Sequence, residues 1–163
     1  MKKLLTTALV TGVLATAASV ASAGEIAVIV KTTNSSFWQN VNKGASAAIE
    51  GHSEHTMTFN GPASESAIAD QVALVENAIN RGVAGIVLAP SDPEALAPVV
   101  RRAFEAGIPM AIIDSGLAEG SEQYYQAFLS TDNCAAGEQA AQMMIDNTGK
   151  EGKVAVMSYV AGV

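Results

Sequence analysis

The sequence predicts an α/β protein in which helices cover both faces of an open parallel sheet. Short apolar runs alternate along the chain with segments of helical periodicity, which is the pattern of repeated strand-helix-strand units. The apolar runs carry almost no charge, as is typical of strands buried on both faces. Because the loops that follow parallel strands meet at one edge of the sheet, we expect a ligand crevice at that edge.

The start of the chain has the pattern of an export signal. Lys2 and Lys3 form a basic start, Leu4 to Val20 an apolar middle, and Ala21-Ser22-Ala23 a small-residue cleavage site. We therefore predict that residues 1–23 are a signal peptide cleaved before Gly24. The alternative is a retained membrane anchor, for which the apolar stretch is short and rich in threonine.

The first strand and the loop after it are predicted to organise the site. Ile26 to Val30 is an unbroken apolar run, and a polar loop from Lys31 to Ser36 follows its carboxyl end. A helix is predicted over Phe37 to Glu50, capped by Ser35 or Ser36 and ended by Gly51. Two adjacent aromatic residues at a helix start are hard to bury on one face, so at least one of them is free to cover a ligand.

The next two units are predicted from their turn residues. A strand near His55 to Phe59 precedes a helix that Ser64 is expected to cap and Arg81-Gly82 to close. Gly85 to Ala89 is a buried strand, and Ser91-Asp92-Pro93-Glu94 has the pattern of a helix start. Within the first of these helices an apolar stripe recurs at helical spacing: Ile68, Val72, Val75 and Ile79.

The remaining elements complete the alternation. Ile108 to Ile113 and Tyr125 to Leu129 are predicted strands, and Asp114 lies at the carboxyl end of the first of them. A helix capped within Ser130 to Asn133 is predicted to run through Asn147 to a stop at Gly149. A last strand is predicted over Lys153 to Tyr159.

Composition excludes several classes of protein. Charged residues are 15% and apolar residues 49% of the chain, so a sizeable core can form and disorder is not expected. The net charge of −7 makes nucleic acid a poor partner. A single cysteine, Cys134, excludes an intrachain disulfide.

The predicted crevice carries hydrogen-bonding groups beside aromatic rings. Carboxylates accept from sugar hydroxyls, a lysine donates, and an aromatic ring covers the C–H face of a sugar, so a polyhydroxylated small molecule fits. Each residue also has a plainer interpretation. Asp114 could cap a turn, Phe37 and Trp38 could both belong to the core, and Lys31 could be a solvated rim residue.

Catalytic motifs do not occur in the sequence. The Gly-x-Ser-x-Gly turn of an α/β hydrolase, a phosphate-cradling Gly-rich loop and a dinucleotide fingerprint are all missing. We therefore predict no enzymatic activity, no cofactor and no metal site; His52 and His55 are assigned to an exposed turn. The ligand-sensing half of a transcription repressor is a third class of protein to consider, and the leader and the lack of a basic reading helix argue against it.

Four segments of the sequence match one known family of proteins. IAVIVKTTNSSFWQNVNKGA, AGIVLAPSDPEAL, GIPMAIIDSG and STDN follow one another in this order after the leader. The sequence thereby resembles the periplasmic sugar-binding proteins of ABC importers, of the ribose-binding type, over essentially all of residues 24–163. The resemblance implies an exported protein of the periplasm that captures a small sugar or polyol between two lobes and delivers it to a membrane permease with its ATPase. It also implies a monomer, and an alternative role in presenting ligand to a chemoreceptor.

The resemblance assigns roles to individual residues. Residues 24–131 would form the N-terminal ligand-binding lobe, and residues 132–163 the start of a second lobe. Family members carry a second lobe of similar size, so we expect a truncated precursor whose second lobe is incomplete. Thr131 and Asp132 would lie at the hinge. The expected ligand-binding residues are Lys31, Asn34, Ser35, Phe37, Trp38, Asp114 and Ser115.

The identity of the ligand stays open between two groups of relatives. Ribose binders place an arginine directly after the aspartate of the fourth strand, but Ser115-Gly116 follows Asp114 in this chain. Lys31, the Asp114-Ser115 pair and the FNGPASES segment look closer to relatives that bind rhamnose or the furanose signal autoinducer-2.

Overall fold

A computed structural model describes residues 24–157 of the protein. The predicted signal peptide, residues 1–23, and residues 158–163 lie outside the described residues. Strands and helices alternate in the described part, with one short 3-10 helix at Glu122–Tyr124 before the last strand. The strands are β1 Gly24–Ile29, β2 His55–Asn60, β3 Gly85–Leu88, β4 Met110–Ile113 and β5 Ala127–Leu129. The helices are α1 Ser36–Glu50, α2 Ile68–Arg81, α3 Pro93–Glu105 and α4 Asn133–Thr148.

The five strands form one sheet in the order β2-β1-β3-β4-β5, and every neighbouring pair is parallel. The predicted fold class is therefore confirmed. Val28 at the centre of β1 pairs with Phe59 of β2 on one side and Val87 of β3 on the other. Because all strands run in one direction, the loops after them lie along a single edge.

Side chains of β1 alternate between two cores, one on each face of the sheet. Ala27 and Ile29 point to a core that α2 and α3 complete, whereas Val28 and Val30 point to a smaller core that includes Trp38 of α1. This alternation is what period-2 side-chain geometry requires of a strand buried on both faces. The helices therefore pack on both faces, as predicted.

One helix start differs from the prediction, and another agrees with it. α2 begins at Ile68 rather than directly after Ser64, because the Ser64 hydroxyl accepts from Ser66 N at 3.2 Å and caps no helix. The cap of α3 is Asp92, whose Oδ1 accepts from Glu94 N at 3.0 Å and Ala95 N at 2.7 Å. Ser91, directly before this cap, is buried, and its Oγ has no hydrogen-bond partner among the described residues.

The end of the described chain also differs from the prediction. Residues 153–157 of the expected last strand are not in a strand and do not join the five-stranded sheet, and a strand forms only where its backbone bonds a neighbouring strand. α4 has no buried residue, and Cys134 in its first turn is exposed. The boundary between lobes after residue 131 stays a prediction. No helix in the described range is long and apolar enough to span a membrane.

Gly82 ends α2 in the left-handed conformation, with φ +67, and nothing lies within 4 Å of the position of an added Cβ. Gly82→Ala is therefore expected to lower the free energy of unfolding by about 1–2 kcal/mol through backbone strain alone. Gly51→Ala is the matched control, because Gly51 ends α1 at φ −78, which any residue adopts. Urea denaturation of both variants measures the difference, and equal losses would contradict the explanation.

Candidate functional site

Two loops meet at the carboxyl edge of the sheet, across the end of β3. Lys31 follows β1, and Asp114 and Ser115 follow β4. The Lys31 Nζ lies 2.8 Å from Asp114 Oδ2 and donates to Ser115 Oγ at 2.6 Å. Ser115 Oγ in turn donates to Asp114 Oδ2 at 3.1 Å. The three side chains therefore form a closed cluster at the edge of the sheet where the sequence predicted that they would meet.

The cluster is partly removed from solvent. Lys31 is 9% exposed, so it is not the solvated rim residue of the plainer interpretation, while the Asp114 side chain remains 33% exposed. A buried ammonium needs a nearby counter-charge, and Asp114 supplies it. Both contacts to the carboxylate go to Oδ2, and among the residues that the structure describes Oδ1 has no partner. This oxygen is available to a ligand.

The backbone of Asp114 is held in an unusual conformation. Its φ is +66, and Ser115 N donates to Ile113 O at 2.8 Å across it, which closes a three-residue turn. Asp114 N donates to Leu129 O at 2.9 Å, and Ser130 Oγ donates to Asp114 O at 2.6 Å. A non-glycine residue stays in this region only where neighbouring groups fix it, and such strain clusters at functional sites. The Asp114 carboxylate is therefore preoriented.

The two aromatic residues are placed by the start of α1. Ser35 caps the helix by accepting from Trp38 N at 3.3 Å, which sets both rings in the first turn. Trp38 is only 2% exposed and packs in the smaller core, whereas Phe37 is 56% exposed. The rings meet edge to face with centroids 4.8 Å apart. The alternative in which both are core residues is wrong for Phe37, which is free to cover a ligand.

Asn34 braces the loop in this structure. Its Oδ1 accepts from Thr32 Oγ1 at 3.1 Å and its amide donates to Ala63 O at 3.3 Å. It is exposed and does not line the pocket beside the cluster. Its predicted ligand-binding role stays a prediction.

A pocket of about 430 Å³ opens between the cluster and the aromatic pair. This volume lies within the range of small-ligand sites. A second pocket of about 360 Å³ shares Phe37, Trp38 and Asp114 with the first and extends to Ser130 and Thr131, the predicted hinge. The cleft therefore continues towards the place where a second lobe is expected to begin. The first pocket is lined by Lys31, Ser35, Ser36, Phe37, Trp38, Glu65 and Asp114.

Glu65 is a pocket residue that the sequence analysis missed. It lies in the loop between β2 and α2, and its Oε1 accepts from the indole Nε1 of Trp38 at 3.2 Å. The available signal was its position after a strand, since every loop at the carboxyl edge is a candidate for the site. Only the three-dimensional contact distinguishes it from the serines around it.

Gln71 is a second residue that the sequence pattern did not identify. It does not line the pocket but holds the strand ends next to it. It is fully buried in α2, and its amide donates to Val30 O at 3.1 Å and Ala89 O at 2.8 Å. Its Oε1 accepts from Ser91 N at 2.8 Å. Gln71 therefore ties the end of β1, directly before Lys31, to the end of β3.

Comparisons with known proteins agree on one family. The family model described as a periplasmic binding protein domain matches residues 26–163. The D-allose-binding periplasmic protein of Escherichia coli K12 is 32% identical over 86% of this chain and 47% of its own length. The chain thus spans about half the length of the curated relatives it matches.

Two solved structures extend the comparison. An ABC transporter solute-binding protein from Agrobacterium vitis with bound D-fucose is 68% identical, with a TM-score of 0.83 over 85% of this chain and 48% of that one. An ABC transporter periplasmic solute-binding protein from Actinobacillus succinogenes with bound D-allose is 26% identical, with a TM-score of 0.74 over 86% of this chain and 50% of that one.

Proposed function

Because this chain belongs to the periplasmic binding protein domain family, we propose that it is the sugar-capturing component of an ABC importer. The observation that carries the proposal is the Lys31-Asp114-Ser115 cluster beside the exposed ring of Phe37. A sugar presents hydroxyls around its rim and C–H groups on its faces. The cluster matches the hydroxyls and the aromatic ring matches a C–H face.

The proposed ligand is a neutral hexose or deoxyhexose of the D-fucose type. The similar Agrobacterium vitis protein holds D-fucose, and its 68% identity extends over 85% of this chain. Asp114 Oδ1 would accept from a ring hydroxyl while Lys31 and Ser115 hold Oδ2 in place. Because the carboxylate is already fixed, little ordering entropy opposes binding.

Membership of the family also supports a proposal about the location of the protein and its partners. We propose export to the periplasm after removal of residues 1–23, delivery of the sugar to a permease with its ATPase, and a monomeric state. Binding by Asn34, and hinge motion at Thr131 and Asp132 that closes a second lobe over the sugar, belong to the same proposal. The proposed activity is binding without chemical change to the sugar.

Calorimetric titration tests this function, with the protein expressed from its full gene. The protein is isolated from the periplasmic fraction, where its mass is expected to match a chain that begins at Gly24. D-Fucose is expected to bind with a Kd in the micromolar range or lower, more tightly than D-ribose, D-allose or L-rhamnose, and to be recovered unaltered. L-Leucine serves as a negative control ligand. No sugar binding, or recovery of a modified sugar, would contradict the proposal.

A further inference from the structure

The hydrogen bond between Glu65 and Trp38 uses a carboxylate where a neutral group would suffice. Trp38 is buried, and its indole N–H needs one acceptor, which a backbone carbonyl or an amide side chain could supply. A carboxylate costs more to place beside a buried ring than a neutral acceptor does, because its charge loses solvation. It also brings a second oxygen, and Glu65 lines the pocket.

Glu65 changes the charge of the pocket. Lys31 and Asp114 neutralise each other at 2.8 Å, so the carboxylate of Glu65 leaves the lining with one negative charge in excess. Its partner among the described residues is the neutral indole N–H at 3.2 Å. An anionic ligand in this pocket would meet an uncompensated like charge, which is unfavourable in a partly buried site.

The two carboxylates reach the pocket from well-separated loops. Glu65 follows β2 and Asp114 follows β4, and both β1 and β3 lie between these strands in the sheet. Lys31, after β1, stands between them. Two acceptors on separate loops can bind hydroxyls on different sides of one sugar ring, which would fix its orientation.

We propose that Glu65 is a specificity-determining residue of the sugar pocket. One carboxylate oxygen fixes the Trp38 ring, and the other accepts from a sugar hydroxyl and excludes anionic sugars. This inference rests on the proposed function. The ligand class is thereby narrowed to neutral or basic sugars, in preference to sugar acids and sugar phosphates.

A matched pair of sugars and a matched pair of variants test the inference. D-Galacturonate has the ring configuration of D-fucose but carries a carboxylate in place of the methyl group. Glu65→Gln keeps an oxygen for the indole N–H and removes the charge, whereas Glu65→Ala removes both. Glu50→Gln removes the same charge at the exposed far end of α1 and is the control. Far-UV circular dichroism confirms that each variant is folded.

The expected results separate the two roles. Glu65→Gln should weaken D-fucose binding about fivefold to tenfold, the difference between a charged and a neutral acceptor. It should not weaken the binding of D-galacturonate, so the affinity ratio of the two sugars shifts by the same factor. Trp38 is the only tryptophan in the sequence, so emission reports on it directly. Emission of the ligand-free protein should shift to the red in Glu65→Ala and stay as in the wild type in Glu65→Gln.

Different outcomes would overturn different statements. A sugar-affinity ratio that Glu65→Gln leaves unchanged would overturn the ligand contact while the proposed function stands. Unaltered emission in a folded Glu65→Ala variant would overturn the role in fixing Trp38, whether or not sugar binds. A wild-type protein that binds none of the sugars would overturn the proposed function and, with it, the ligand contact of Glu65.

Discussion

Replacement of Gln71 by alanine is expected to lower the free energy of unfolding by about 3–5 kcal/mol. The side chain is fully buried and makes three hydrogen bonds, to Val30 O, Ala89 O and Ser91 N. Alanine leaves these three backbone groups without a partner, and each unsatisfied buried group costs about 1–3 kcal/mol. A cavity in place of the amide adds to the loss. Chemical denaturation followed by circular dichroism measures the change.

Asn77→Ala is the control for this measurement. Asn77 is exposed on the same helix, so the same loss of an amide there should change the free energy of unfolding by less than about 0.5 kcal/mol. Because Val30 directly precedes Lys31, Gln71→Ala should also weaken sugar binding in the fraction that remains folded. A loss equal to that of Asn77→Ala would show that water or the surrounding helix satisfies the strand ends, and that Gln71 does not hold the site.

Asp114→Asn is expected to weaken sugar binding by about 1.5–3 kcal/mol, which is roughly a tenfold to 150-fold rise in Kd. The amide keeps the shape of the carboxylate, and asparagine tolerates the left-handed backbone at φ +66. The change removes the charge-assisted acceptor and leaves the ammonium of the buried Lys31 without its counter-charge. A decrease in the free energy of unfolding is therefore expected as well.

Two further variants separate these effects. Asp70→Asn removes a charge from the exposed start of α2 and should leave the Kd within about twofold of the wild type. Lys31→Met combined with Asp114→Asn removes the buried charge, and should recover stability but not affinity. Calorimetry with D-fucose and urea denaturation provide the two readouts. Wild-type affinity in a folded Asp114→Asn protein would assign Asp114 to a purely structural role in its turn.

The order and class of the elements could be predicted because local signals agree with the fold. Apolar runs without charge predicted β1, β3 and β4, and Gly82 ended α2 where the sequence placed its stop. The meeting of Lys31 with Asp114 and Ser115 followed from the rule that loops after parallel strands share one edge. That rule needs no knowledge of individual contacts.

The apolar stripe of α2 shows that periodicity does not predict which side chains of a helix are fully buried. Ile68, Val72 and Ile79 are partly buried, while the fully buried positions are Gln71, Val75 and Ala78. Val75 belongs to both sets, so the inward face is only partly turned from the apolar stripe, towards Gln71 and Ala78. The reason is that the ends of β1 and β3 present backbone groups that a glutamine bonds and an apolar residue cannot.

By itself, the sequence determined the α/β class, the alternation of strands and helices, and the edge at which polar side chains collect, since these depend on periodicity and chain direction. The tertiary structure alone decided which side chain meets which partner. It buried Trp38 and exposed Phe37, set Asp114 at φ +66, and brought Glu65 to the indole. Each of these results depends on the distance between loops that are far apart along the chain. A local pattern of residue types does not determine that distance.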